Sequence, residues 1–145
     1  MKNLLDLYQG VILDHNRNPR NLRPLANSTS SARAENPSCG DQYEVFVKMT
    51  AEQIEEITFW GSGCAISRAS ASVMTTEIQG LTIEEAKIKA ENFLKAVESG
   101  ETIEEWPLSM AAFAQVYKFP ARIKCAKLAW TAALQAFKSS PEDSK

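Results

Sequence analysis

Three cysteines lie in segments that are suited to present sulfur for chemistry. Cys39 stands in the polar sequence Asn-Pro-Ser-Cys-Gly-Asp, Cys64 directly follows Gly-Ser-Gly, and Cys125 lies in the last apolar segment. Thiolates are preferred ligands of zinc, which closes a tetrahedral shell with four ligands. Three thiols and one further donor would therefore complete a metal site, and this site is the main functional hypothesis.

The fourth donor is open from the residues alone, and Asp41 is the nearest candidate. Gly40 separates it from Cys39 and permits a tight bend that can direct both side chains inward. His15 is the only imidazole of the chain, but it belongs to a distant segment. Lys124 is a poor ligand because an ammonium group has no free lone pair at neutral pH.

Each candidate ligand also has an ordinary structural explanation. Cys125 falls on a helical stripe with Leu128, so packing in the core explains it as well as a ligand role does. Packing is less favoured for Cys64, because the preceding glycines allow close backbone approach and a helix N-terminus favours negative sulfur. It is least favoured for Cys39 in its polar loop. Asp41 taken alone could simply cap a turn.

Four charged or titratable side chains have two interpretations each. Arg122 and Lys124 are either solvent-facing charges on the last helix or groups that stabilise a nearby thiolate. His15 and Arg17 are typical of a solvated helix end, and we keep them only as candidate contacts for a partner.

Length and composition bound the class of protein. The 145 residues predict one domain, residues 1–138, with a disordered tail at 139–145. A net charge of -2 argues against nucleic-acid binding. No run approaches the roughly 18 apolar residues of a membrane span, and the first residues lack a signal-peptide pattern, so we expect a cytoplasmic protein without membrane contact. An odd number of cysteines there argues for reduced thiols.

Hydrophobic periodicity and turn residues predict an α+β chain. Cys64 should lie at a helix N-terminus, after a hairpin strand. The segment that begins at Thr82 carries a capping box with Glu85. The predicted elements are a helix at 3–17, an irregular connection at 20–38 with a short extended piece at 32–35, a hairpin of strands at 43–49 and 54–60, and helices at 65–78, 82–97, 107–117 and 120–137.

Four motifs, which follow one another along nearly the whole chain, carry a resemblance to a known family. They are His15 to Asn21, Asn36 to Asp41, Gly61 to Ser72 and Arg122 to Trp130. Together they resemble the IscU/NifU-like iron–sulfur cluster assembly proteins, and among these the SufU branch. IscU-like members carry His where this chain has Lys124, and the segment at 98–117 is longer here, so both features favour that branch.

The resemblance implies a fold and a set of ligands. The fold would be IscU-like, a small three-stranded antiparallel sheet covered by about five helices, with the metal site at one exposed end. Cys39, Asp41, Cys64 and Cys125 would bind zinc. Cys39 would also accept sulfur, and Arg122 would steady the thiolate.

The resemblance also implies a partner. A SufS-type, pyridoxal-phosphate-dependent cysteine desulfurase would present sulfur as a persulfide, and a ligand from it would displace Cys39 from zinc. The freed thiol would take the terminal sulfur and pass it to an iron–sulfur scaffold or an apo-protein. The alternative is a scaffold that holds iron or an iron–sulfur cluster on the same residues. A zinc domain of purely structural role is a third interpretation.

Overall fold

The structure, a computed structural model, describes residues 4–103 and 105–138. The predicted tail at 139–145 lies outside the described residues. The elements follow in this order: α1 (Leu4–Arg17), β1 (Ser30–Asn36), β2 (Asp41–Met49), β3 (Ile54–Ser62), α2 (Ala65–Ile78), α3 (Ile83–Ser99), α4 (Leu108–Ala111), a 3₁₀ helix (Ala112–Lys118) and α5 (Pro120–Phe137).

The three strands form one antiparallel sheet in the order β1, β2, β3. At one end of the sheet Asn36 pairs with Asp41 across the β1–β2 turn, and Gln42 pairs with Ser62 on β3. The turn that carries Cys39 and the strand end that leads into Cys64 therefore lie at the same end of the sheet.

The predicted α+β architecture is confirmed, and the main differences from the expected elements lie in two segments. β1 runs from Ser30 to Asn36, longer than the expected piece at 32–35, because it pairs along its whole length with β2 and packs under α5. Its small and polar residues have low β-propensity, so pairing and packing decide its conformation. The helix expected at 107–117 divides into one short α-helix and the 3₁₀ helix.

The core joins the two helices that carry Cys64 and Cys125. Trp130 of α5 is fully buried and stacks on Phe93 of α3, with ring centroids 4.0 Å apart. Its Nε1–H donates to the hydroxyl of Ser70 on α2 at 3.1 Å, and that hydroxyl donates to the Ala126 carbonyl at 2.6 Å. These bonds hold α2 against α5 and so fix the spacing of the elements that bear two of the thiols.

His15 is not a solvated helix end, and this corrects the expectation that it faces a partner. Its ring is 8% exposed, and Nδ1 lies 2.7 Å from the Ser72 hydroxyl, which also accepts the backbone N–H of Arg20 at 2.8 Å. Burial lowers the pKa of His15. The residue therefore serves to dock α1 on α2, while Arg17 is exposed.

Within residues 4–103 and 105–138, no helix combines the length and the apolar character that crossing a bilayer requires.

Candidate metal centre

Three separate segments meet at one end of the sheet. Cys39 lies in the β1–β2 turn, Cys64 is the residue before the first turn of α2, and Cys125 lies on α5. Gly40 adopts a positive φ of 71°, which bends the chain between Cys39 and Asp41. Asp41 begins β2 and is only 2% exposed. The predicted bend is thus present, and it turns the carboxylate toward the inside of the protein.

Two thiols and the carboxylate are close enough to share one ion. The Sγ atoms of Cys39 and Cys125 lie 3.3 Å apart. With a carboxylate oxygen of Asp41 they form a group in which all ligand atoms lie within 4.8 Å of one another. Ligands about 2.0–2.3 Å from one zinc ion stand roughly this far apart, so these three residues fit a common metal.

The two oxygens of Asp41 have different surroundings. Oδ1 accepts the backbone N–H of Cys64 at 2.8 Å and the hydroxyl of Ser67 at 3.1 Å. Oδ2 is buried and has no hydrogen-bond partner among the described residues. An unpaired buried carboxylate oxygen is costly, and a bound cation would satisfy it. This orphaned atom is the observation that best supports a metal beside the two thiols.

Cys64 is adjacent to this group but does not belong to it. Its Sγ accepts the backbone N–H of Ser67 at 3.5 Å and so caps α2. The mutual 4.8 Å group contains Cys39, Asp41 and Cys125 only, as far as the described residues go. The structure therefore brings three of the four predicted ligands together, and the ligand role of Cys64 stays a prediction.

The surroundings of Cys125 favour its protonated thiol when no cation is bound. Burial raises the pKa of the Cys125 thiol well above its ordinary value, and the nearby side chains of Asp41, Cys39 and Cys64 add to the shift. The side-chain amide of Asn36 donates to Cys125 Sγ at 3.6 Å. A divalent ion would reverse this balance, since a coordinated thiol is deprotonated.

The two cations near Cys125 on α5 have different positions. A hydrogen bond with Cys125 raises the pKa of Arg122, and negative charge on the three cysteines adds to this effect. Arg122 is exposed, so it faces both the thiols and solvent. Lys124 is exposed and lines a neighbouring groove of about 550 Å³ beside the Asn36–Ser38 turn. Of the two residues, Arg122 is the one placed to stabilise a thiolate.

Residues 7–143 match the family described as the NifU-like N terminal domain. The chain belongs to this family.

Curated relatives of this NifU-like chain have two kinds of name. The zinc-dependent sulfurtransferase SufU of Bacillus subtilis (strain 168) is 41% identical over 131 residues, which cover 90% of this chain and 88% of the relative. The iron–sulfur cluster assembly scaffold protein IscU of Streptococcus pyogenes serotype M1 is 39% identical over 141 residues, or 97% of this chain and 88% of the relative.

Solved structures share the fold of this NifU-like domain. A putative iron–sulfur cluster assembly scaffold protein for the SUF system from Fervidobacterium islandicum AW-1 superposes with a TM-score of 0.83 at 29% identity, covering 91% of this chain and 97% of the other. A nitrogen-fixing NifU-like protein (N-terminal) from Brucella abortus gives a TM-score of 0.85 at 22% identity, covering 98% of this chain and 100% of the other, and shows the fold alone.

The sequence did not indicate a role for two residues of this NifU-like site, Asn36 and Ser67, although both lie in its motifs. The side-chain amide of Asn36 donates to Cys125 Sγ, and the hydroxyl of Ser67 donates to Asp41 Oδ1. A signal existed for Ser67, because it is the third residue after Cys64, where a capping residue meets the first turn of a helix. None existed for Asn36, since its partner lies 89 positions away in the chain.

Proposed function

We propose that this chain is an iron–sulfur cluster biogenesis protein that accepts persulfide sulfur on Cys39 at a zinc site formed by Cys39, Asp41, Cys64 and Cys125. The orphaned, buried Oδ2 of Asp41 beside two thiols 3.3 Å apart supports the metal site. The name of the Bacillus subtilis relative, 41% identical, supports zinc and sulfur transfer.

The donor set fits zinc. Three sulfurs and one carboxylate oxygen are all ligands that zinc accepts in tetrahedral sites. When bound, the ion would supply the positive charge that holds the thiols as thiolates, and it brings no redox chemistry of its own.

Cys39 is the thiol best placed to react with a partner. It lies on a turn and is partly exposed. Cys64 is also partly exposed, but its sulfur caps α2, and Cys125 is fully buried on a helix. The backbone N–H of Cys39 donates to the Asn36 carbonyl at 3.1 Å, which shapes the turn. A partly exposed thiolate on a turn meets the access requirement for thiol–disulfide chemistry.

The transfer step is a displacement at sulfur. The Cys39 thiolate attacks the terminal sulfur of the persulfide held by the partner's cysteine. A new S–S bond forms on Cys39, the S–S bond of the partner breaks, and the partner's cysteine leaves as a thiolate. The proton of the persulfide stays on the transferred sulfur, so nothing is oxidised or reduced overall. The exposed guanidinium of Arg122 lies where it can steady the attacking thiolate.

The partner in this proposal is a SufS-type, pyridoxal-phosphate-dependent cysteine desulfurase, and the recipient is an iron–sulfur scaffold or an apo-protein. We place the reaction in the cytoplasm. The alternative is a scaffold that assembles the cluster on the same residues, which the name of the Streptococcus pyogenes relative favours. Lys124 favours transfer, because an ammonium group replaces a histidine that could ligate a cluster.

Metal content separates the two functions. Purified, colourless protein with zinc near stoichiometric to the chain would support sulfur transfer. Brown protein that contains iron and labile sulfide would instead establish the scaffold.

The acceptor role is tested with the Cys39→Ser variant, with Ser38→Ala as the matched control on the same exposed turn. Desulfurase turnover should rise with wild type and with the control, and mass spectrometry should find the added sulfur on the peptide that contains Cys39. With Cys39→Ser both signals should be lost. Turnover that is stimulated as before by Cys39→Ser would show that another residue accepts the sulfur.

A further inference from the structure

We propose that Ser67 is a positioning residue of the metal centre, which holds Asp41 so that Oδ2 alone faces the ion. The inference rests on the proposed zinc site. It concerns how one ligand is oriented, and it is independent of which thiol accepts sulfur.

Ser67 contacts two of the predicted ligands from the first turn of α2. Its hydroxyl lies 3.1 Å from Asp41 Oδ1, and its backbone N–H lies 3.5 Å from Cys64 Sγ. The side chain is 1% exposed, so water does not compete for these bonds. A single buried serine therefore joins the carboxylate of the β1–β2 side to the thiol that caps α2.

The hydroxyl has one proton and two acceptors within reach. These are Asp41 Oδ1 at 3.1 Å and the Cys64 carbonyl at 3.1 Å, while the Cys64 thiol itself donates to Ser67 Oγ at 3.7 Å. A hydrogen bond to a charged carboxylate is the stronger of the two, so the proton goes to Oδ1. Together with the Cys64 N–H at 2.8 Å it fills Oδ1, and this leaves Oδ2 as the free oxygen.

The surrounding backbone is shaped to allow this contact. A Cβ atom added to Gly63 would lie 2.4 Å from Ser67 Oγ and 2.6 Å from Asp41 Oδ1. Any side chain at position 63 would therefore push the serine and the carboxylate apart. Partners that orient a metal ligand in this way are worth about 10- to 100-fold in metal affinity.

The first test measures zinc affinity by competition with a chelator. Ser67→Ala should weaken zinc binding by about 10- to 100-fold, and Ser67→Thr, which keeps the hydroxyl, should restore most of the affinity. Ser70→Ala is the matched control, because Ser70 is an equally buried serine of α2 whose bonds go to Trp130 and Ala126 instead. The Ser70→Ala variant should have a lower melting temperature than the wild type and the same zinc affinity.

A double-mutant cycle shows whether Ser67 acts through Asp41. In an Asp41→Ala background, Ser67→Ala should cost no further zinc affinity. Cobalt in place of zinc gives a second readout, since the visible absorption bands of the Ser67→Ala complex should shift toward those of the Asp41→Ala complex. A merely structural serine would not move these bands.

Three outcomes would overturn the inference. The first is unchanged zinc affinity in Ser67→Ala. The second is that Ser67→Ala lowers zinc affinity as much in the Asp41→Ala background as in the wild type, and the third is unchanged zinc affinity in Asp41→Ala itself. Sulfur acceptance is scored separately with Cys39→Ser, which removes the proposed acceptor and keeps both Ser67 and Asp41. A failure of Cys39 as acceptor would therefore leave the zinc result for Ser67 standing.

Discussion

Replacement of Asp41 by asparagine separates the metal role of this residue from its structural role. The amide oxygen of Asn can still accept the N–H of Cys64 and the hydroxyl of Ser67, as Oδ1 does now. The amide nitrogen would take the place of the orphaned Oδ2, and it cannot ligate zinc because it carries two protons and no free lone pair. The variant thus keeps the hydrogen bonds and removes the ligand.

The size of the effect follows from the ligand count. Zinc binds structural sites with about 10–16 kcal/mol, so an equal share for each of four ligands is at least about 2.5 kcal/mol, or roughly 70-fold in affinity. Because zinc stabilises the folded state, the same free energy is lost from the stability of the zinc-loaded protein, and for a chain of this size this lowers its melting temperature by about 5–10 °C. In the metal-free protein the two hydrogen bonds weaken when the carboxylate becomes neutral, but a buried charge with an unpaired oxygen is also removed. These two effects oppose each other, so the metal-free melting temperature should change little.

The assay combines chelator competition with thermal melts of the zinc-loaded and metal-free forms. Asp14→Asn is the control, since this exposed carboxylate pairs with Arg20 at 2.7 Å, outside the site. Zinc affinity within threefold of wild type would remove Asp41 from the ligand set. An equal loss of stability with and without zinc would show instead that the residue is structural.

Three further predictions concern residues around the site and in the core. Burial holds the pKa of His15 below its ordinary value, so its neutral form contributes stability that is complete above about pH 6.5 and is lost as the pH falls through the lowered pKa. Thermal melts should therefore show a melting temperature that falls from pH 8 to pH 5, and His15→Gln should reduce this pH dependence. Arg122→Ala should leave zinc affinity unchanged and slow sulfur acceptance by no more than about tenfold, with a difference that shrinks as salt is added in single-turnover assays. Trp130→Phe keeps an aromatic ring on Phe93 but loses the Nε1–H bond to Ser70, so denaturant unfolding should show a loss of about 1–3 kcal/mol with unchanged zinc affinity.

Much of the fold could be read from the chain because local signals and tertiary packing agree. The capping box of Thr82 and Glu85 is present at the start of α3, and α2 begins at Ala65, directly after the thiol that caps it. β1 is longer than its sequence predicts, because its residues form a strand only when β2 pairs with them. The burial of His15 is not predicted locally either, since it depends on Ser72, 57 positions away.

The candidate site shows the same division between local and long-range information. The bend at Gly40 and the adjacent carboxylate follow from local sequence, so Asp41 could be named as the fourth donor. The contact of Cys39 with Cys125 joins residues 86 positions apart, and no periodic pattern in the sequence predicts it. Only the resemblance of the four motifs to a family implied this proximity. The turn of the Cys64 thiol toward Ser67 was not implied even by that resemblance.

The hydrogen bonds to sulfur differ among the three thiols, and the difference supports the acceptor role that we propose for Cys39. Cys64 accepts a backbone N–H from Ser67, and Cys125 accepts the side-chain amide of Asn36. Within the described residues, the hydrogen bond that reaches Cys39 Sγ comes from Cys125 itself, and it disappears when both are thiolates. A donor withdraws electron density from a thiolate and makes it a weaker nucleophile, as a lower thiol pKa does. If zinc holds the thiols as thiolates, as we propose, Cys39 would be the one least restrained by hydrogen bonds, whereas the donors that hold Cys64 and Cys125 in place would also lower their reactivity.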